Sequence, residues 1–127
     1  MKVHLSLGFE AAREKVIELL KVEGFGVLTD INVKETLKQK LDIDFIKYEI
    51  IGACNPPLAY RAISANYDIG LFLPCNVILY EEGAGTTVNI IDPMSMVEFS
   101  PQEDLRTVAT EAKTRLERVR SSLANLK

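Results

Sequence analysis

Tryptophan is absent from this 127-residue chain, and the residues that most often carry chemistry are scarce: two cysteines and one histidine. With His4 as the lone imidazole, a histidine-rich metal site or a serine–histidine triad is hard to build. Basic charge is not in excess either, since 15 Lys and Arg stand against 18 Asp and Glu, a formal net charge of −3. Nucleic-acid binders normally carry a basic footprint, so no nucleic-acid partner is expected. No apolar run approaches the roughly 20 residues that span a bilayer. Residues 1–7 alternate polar and apolar and lack the apolar stretch of a signal peptide. A cytoplasmic protein without a membrane partner is therefore expected, and two cysteines in that compartment seldom form a permanent disulfide. Repeats, low-complexity tracts and linkers are missing too, which leaves one domain over residues 1–127.

What remains is ordinary globular material, 47% apolar and 26% charged, patterned clearly enough to place elements. Residues 2–7 read as a strand. Phe9, Ala12, Val16, Leu19 and Leu20 recur at helical spacing, with Gly24 as the stop. A β-rich stretch, Phe25 to Ile31, leads to Asn32 and Glu35 at capping-box spacing. The short helix they open places Val33, Leu37 and Leu41 on one face, with Lys34, Lys38 and Lys40 on or near its other faces, read as a solvated surface ahead of an anion-binding patch. Tyr48 to Ala53 reads as the next strand, and Asn55-Pro56-Pro57 as the capped start of a further helix.

Leu71 to Tyr80 is an apolar strand signal that Pro74 limits to an edge, a bulge or a strand start. With the turn at Glu81 to Gly85 and the return of Thr86 to Ile91 it forms a β-hairpin. Ser100-Pro101-Gln102-Glu103 has the form of a second capping box. It opens a long C-terminal helix with Leu105, Val108, Ala109, Ala112, Leu116, Val119 and Leu123 on one stripe. A hairpin within this alternation of strands and helices points to an α+β domain, a mostly antiparallel sheet packed against helices.

Gly24-Phe25-Gly26-Val27-Leu28-Thr29, Gly52-Ala53-Cys54-Asn55-Pro56, Leu73-Pro74-Cys75 and Asp92-Pro93, in this order and spacing, give the chain its resemblance to a bacterial and archaeal family. The sequence resembles the domain of unknown function 302 over nearly its whole length. The resemblance implies a compact α+β fold with an antiparallel sheet, and a homodimer. It implies no activity.

Chemistry is best sought at the two cysteines. A thiol just before a helix N-terminus feels the positive end of the helix dipole, which favours the thiolate at Cys54. If Cys75 converges with it from a neighbouring strand, the pair becomes a small-ligand site, a redox couple or half of a zinc site. A closed zinc site needs four ligands, so a second copy or water would have to complete it. Buried cysteine is, however, just as often a small hydrophobe. Asn55 reads first as a helix cap. Asn76 is an amide in an apolar strand that needs partners if buried. Arg61 is placed to pair with Asp92 or with an anionic ligand.

The expected function is a small-ligand or metal-binding module built on Cys54, Asn55, Cys75, Asn76 and Arg61, with a thiophilic metal such as zinc as the candidate cofactor. Two alternatives stand beside it: a homodimeric interaction module without chemistry, and a thiol-redox protein in which Cys54 attacks and Cys75 resolves. A homodimer is expected to use the Met94 to Val97 connection or a sheet edge, because apolar residues in a loop are costly to leave in water.

Overall fold

The computed structural model describes residues 1–126. Strand β1 (Lys2–Leu5) is followed by helix α1 (Phe9–Val22), β2 (Gly26–Asn32), α2 (Val33–Leu41), β3 (Tyr48–Cys54) and α3 (Pro56–Ala65). A 3-10 helix (Tyr67–Phe72) leads into β4 (Cys75–Glu82) and β5 (Gly85–Ile90), then α4 (Ser95–Phe99) and α5 (Glu103–Ala124). Every strand pairing is antiparallel, in the order β1-β5-β4-β3-β2. The domain is α+β, as the hairpin within the element order implied. Among the described residues no helix is long and apolar enough to cross a membrane.

One face of the sheet makes the core. Strand side chains alternate between faces, and Leu5, Ile51, Ala53, Val77, Leu79, Val88 and Ile90 point to the side where α1, α3 and α5 lie. Helix α5 contributes all seven residues of the stripe read from its sequence, Leu105 through Leu123, each buried. Helix α1 adds Phe9, Ala12, Val16 and Leu20. It ends where Gly24 takes φ +85°, with the N–H of Phe25 returning to the carbonyl of Leu20 at 2.9 Å.

Several local expectations are corrected. Leu71 to Leu73 do not continue the β4 strand; Pro74, after a cis peptide bond, sits just before the strand begins at Cys75. The second capping box does not form. Ser100 instead bonds Gln102 and Asn66, and α5 starts at Glu103 without a side-chain cap. Met96 and Val97, expected near a dimer interface, lie in the core through the short helix α4. A loop reading missed that helix because five residues carry too little periodicity.

Gly52 shows how closely β3 and its neighbours approach. A methyl group there would clash with Thr29 Oγ1 and come to 2.5 Å from Pro74 Cγ. The threonine can rotate away, but the proline ring cannot. Gly52→Ala is therefore expected to cost about 1–3 kcal/mol in chemical denaturation, the usual range for overpacking. Adding Thr29→Ala should recover only part of that loss, because Pro74 remains.

Candidate functional site

Three of the four sequence segments that carry the family resemblance meet at one corner, where β3 ends and α3 begins. Asn55 sits between them. Its Oδ1 accepts the N–H of Leu58 at 3.2 Å and so caps α3. Pro56 and Pro57 have no N–H to offer, which leaves Leu58 as the first donor within reach of the cap. A Cβ on Gly24 would lie 2.9 Å from Asn55 Nδ2 and 3.2 Å from an Arg115 nitrogen. Positive φ and close approach both require glycine there. Gly26 pairs with Cys54, and Ala53 pairs with Cys75.

The thiols share a cavity wall but not a face of the sheet. Cys75 lies opposite Ala53 and is buried with it on the helix side. Cys54 is one residue further along β3, so alternation turns its side chain with Gly52 toward the other face. Both residues border a cavity of about 30 Å³ whose other walls include Phe25, Leu58, Ala62 and Val108. That is room for about one water molecule, and small-molecule sites are roughly tenfold larger.

Electrostatics at the corner runs against the thiolate expected at Cys54. Burial pushes the Cys54 thiol up from its ordinary value. Burial, with a smaller push from the neighbouring Cys54, raises Cys75 to about 11. Metal ligation needs deprotonated thiols. Among the described residues no group of three His, Cys, Asp or Glu side chains gathers here or elsewhere. Zinc would have to be completed from outside the chain.

The remaining sequence candidates are dispersed. Asn76 is exposed on the face away from the helices, opposite Gly52. Asp92 is held by Lys113 at 3.0 Å, so Arg61 does not pair with it. Arg61 instead makes a 3.5 Å contact with Glu111, at the crossing of α3 and α5.

A family model described as domain of unknown function DUF302 matches residues 1–123. The chain belongs to this family. A solved structure described as uncharacterized conserved protein DUF302 from Bacillus stearothermophilus is similar to it, with a TM-score of 0.87 at 32% identity, over 97% of this chain and 96% of that one. No curated protein matches. In this DUF302 chain close packing accounts for Gly24 against Asn55 and for Gly52 against Thr29 and Pro74, and Asn55 caps α3, whereas a Cβ at Gly26 would meet nothing within 4 Å.

The candidates from sequence left out the surface on the other side of the sheet. The register lines up Ile31, Ile50 and Ile78 across β2, β3 and β4. Beside them Tyr48 and Tyr80 stack, with ring centroids 5.6 Å apart. Phe45 leans on Tyr48 at 6.4 Å. Ile31 and Phe45 are exposed and the other four are only partly buried. A signal for it exists in the consecutive apolar pairs Ile50-Ile51 and Ile78-Leu79, since a strand with only one buried face needs apolar residues at alternate positions. At the hairpin end of the same face the Thr87 hydroxyl donates to Glu82 at 2.6 Å. Its single proton is thereby used, so His4 Nδ1, 3.0 Å away, acts as the donor to it.

Two outcomes follow for the corner. Asn55→Ala should lower stability by about 0.5–2 kcal/mol, measured by urea denaturation. Cys75 should label with iodoacetamide at pH 8 about a hundredfold more slowly than a thiol of ordinary pKa, given its value of about 11. Both thiols should react at the free-thiol rate only after unfolding.

Proposed function

We propose that this chain is a homodimeric interaction module, and that a second copy docks on the open face of its sheet and on the β2–α2 arm. The observation that carries this reading is the arm itself. No residue of β2 or α2 is buried. Between residues 26 and 46, Val27, Leu28, Ile31, Leu41, Ile43, Phe45 and Ile46 are all exposed. Ordering a chain segment costs conformational entropy that only burial or bonding offsets. An arm that orders so many apolar residues and buries none is expected to find its cover outside its own chain.

The arm and the sheet face are continuous. Ile31 of β2 leads into Ile50 and Ile78, and Phe45 leads into Tyr48 and Tyr80. Strands lie about 4.8 Å apart and rise about 3.4 Å per residue, so four strands of six residues present about 400 Å² per copy. Pairing two such faces and adding the arms exceeds the roughly 1,000 Å² that a specific interface needs. Two antiparallel sheets stack readily face to face.

A second copy also suits the charges. Lys34, Lys38 and Lys40 share the arm with Glu35, Asp42 and Asp44, and Lys38 already bridges Asp42 at 2.9 Å and Asp44 at 3.3 Å. A rim of both signs is compatible with its own copy across a two-fold axis. The bulge between Val27 and Thr29 disturbs the exposed β2 edge, and bulged edges resist strand-by-strand addition. Face packing is the geometry that remains.

Sedimentation velocity at about 10–50 µM should give a dimer. Ile50→Lys with Ile78→Lys should give a monomer with unchanged circular dichroism, because both side chains leave the core intact; Phe45→Asp should weaken the dimer from the arm side. A monomeric wild type over this range, or a dimer that survives the double substitution, defeats the proposal.

A further inference from the structure

Helices α3 and α5 cross on the side of the domain away from the open sheet face, and a groove of about 340 Å³ runs between them. That volume lies within the usual range for small-molecule sites. Val108, which also belongs to the core, forms its floor. The walls are Tyr60, Arg61 and Ser64 from α3, and Asp104 and Thr107 from α5. Tyr60 and Ser64 stand four residues apart, and Arg61 and Ser64 three apart, so all three share one side of α3.

Arg61 is the under-committed cation of this region. Its only ion pair among the described residues is the 3.5 Å contact with one oxygen of Glu111, whose other oxygen is held by Arg115 at 3.0 Å. Guanidinium offers five donors in a planar fork, so most of its bonding capacity faces the groove or solvent. Across from it, the Thr107 hydroxyl donates to the carbonyl of Glu103 at 3.1 Å and keeps its lone pairs free to accept. The Tyr60 ring is three-quarters exposed at the groove's edge. Arg115 balances Glu111 from outside the groove, which leaves Arg61 and Asp104 as the charges of its wall. A ligand with a single negative charge therefore suits Arg61, while a second would meet Asp104.

We propose that this groove binds a small monocarboxylate with an apolar or aromatic body. Arg61 receives the carboxylate, the body rests on Val108 against the Tyr60 ring, and a hydroxyl or amine on the ligand donates to Asp104 or Thr107. The groove is independent of self-association, so a monomeric protein leaves it standing.

The test is a titration of the full chain, labelled with nitrogen-15, with 4-hydroxybenzoate. Amide signals of α3 and of the first turns of α5 should shift and saturate in the millimolar range or below. Arg61→Ala and the neutral probe 4-hydroxybenzamide should each weaken binding about tenfold or more, the loss expected when a charge-assisted bond is removed. Ser64→Leu, which fills the groove while keeping Arg61, should abolish the shifts. No saturable shift up to about 10 mM, shifts that map to another surface, or equal affinity in Arg61→Ala would overturn the proposal.

Discussion

Everything in this domain depends on the burial of one face of the sheet beneath α5. That helix runs the length of the core and inserts Leu105, Leu116, Val119 and Leu123 with essentially no exposure. At roughly 25 cal/mol per Å² of apolar surface, each such side chain contributes about 1.5–3 kcal/mol. Helices α1 and α3 pack beside α5 on the same side, burying Phe9, Ala12, Val16 and Leu20 of the one and Leu58 and Ala62 of the other. Layer packing then dictates the rest: with all the long helices on one side, the middle of the opposite face is left only partly buried at Tyr48, Ile50, Ile78 and Tyr80. The polar residues that would suit such a face are only partly there. Thr29, Asn76, Thr87 and Asn89 serve it, but Ile31, Ile50 and Ile78 run through its middle.

The arm follows from the same constraint. Strand β2 lies at the sheet edge, beyond the reach of the helix layer, and is held on its helix side by a polar clamp. Arg13 of α1 bonds Glu49 of β3 at 2.8 Å and also Asp30 of β2. Burial holds the Glu49 carboxyl above its ordinary range, opposed by Arg13 and reinforced by nearby Asp30. A polar clamp orders a strand without giving its apolar side chains anywhere to go. Val27, Leu28 and Ile31 remain in water, and α2 adds Leu41 to them. The clamp keeps the arm in place, and the surface that it orders is the one proposed to meet a second copy.

How much of this was legible in the sequence depended on what each residue's role required. Elements whose formation rests on local pattern were read well: the α5 stripe, the Asn32 and Asn55 caps and the hairpin at Gly83 all follow from spacing and turn chemistry. The Asn32 side chain accepts the N–H of Glu35 at 3.0 Å as read. Features decided by tertiary contact were not legible. Ser100 has capping-box spacing, yet its hydroxyl is drawn to Asn66, 34 residues away. Leu71 to Leu73 have strand character, but the 3-10 helix places Ile69 in the core ahead of them. Helical periodicity in α2 marks an apolar side, and nothing in the sequence says whether the chain itself will bury it.

The cysteine corner shows why a motif can be read as chemistry when its residues answer to packing. A thiol before a helix N-terminus has the ingredients of a reactive thiolate, and that inference is sound for an exposed site. Here the strand end is tucked against Phe25, Leu58 and Pro74. Burial raises both thiols above their ordinary values, Cys75 to about 11. The residues around them have geometric reasons to be what they are. Gly24 must leave room for Asn55, Gly52 for Pro74, and Asn55 must cap a helix whose first two residues have no N–H to give. Each removes a clash or supplies a bond that another residue at that position would not. A corner over-determined in this way has little freedom left for a substrate. The surfaces still free to meet one are those where the fold leaves side chains lightly committed: Ile50 and Ile78 on the open face, and Arg61 between the helices.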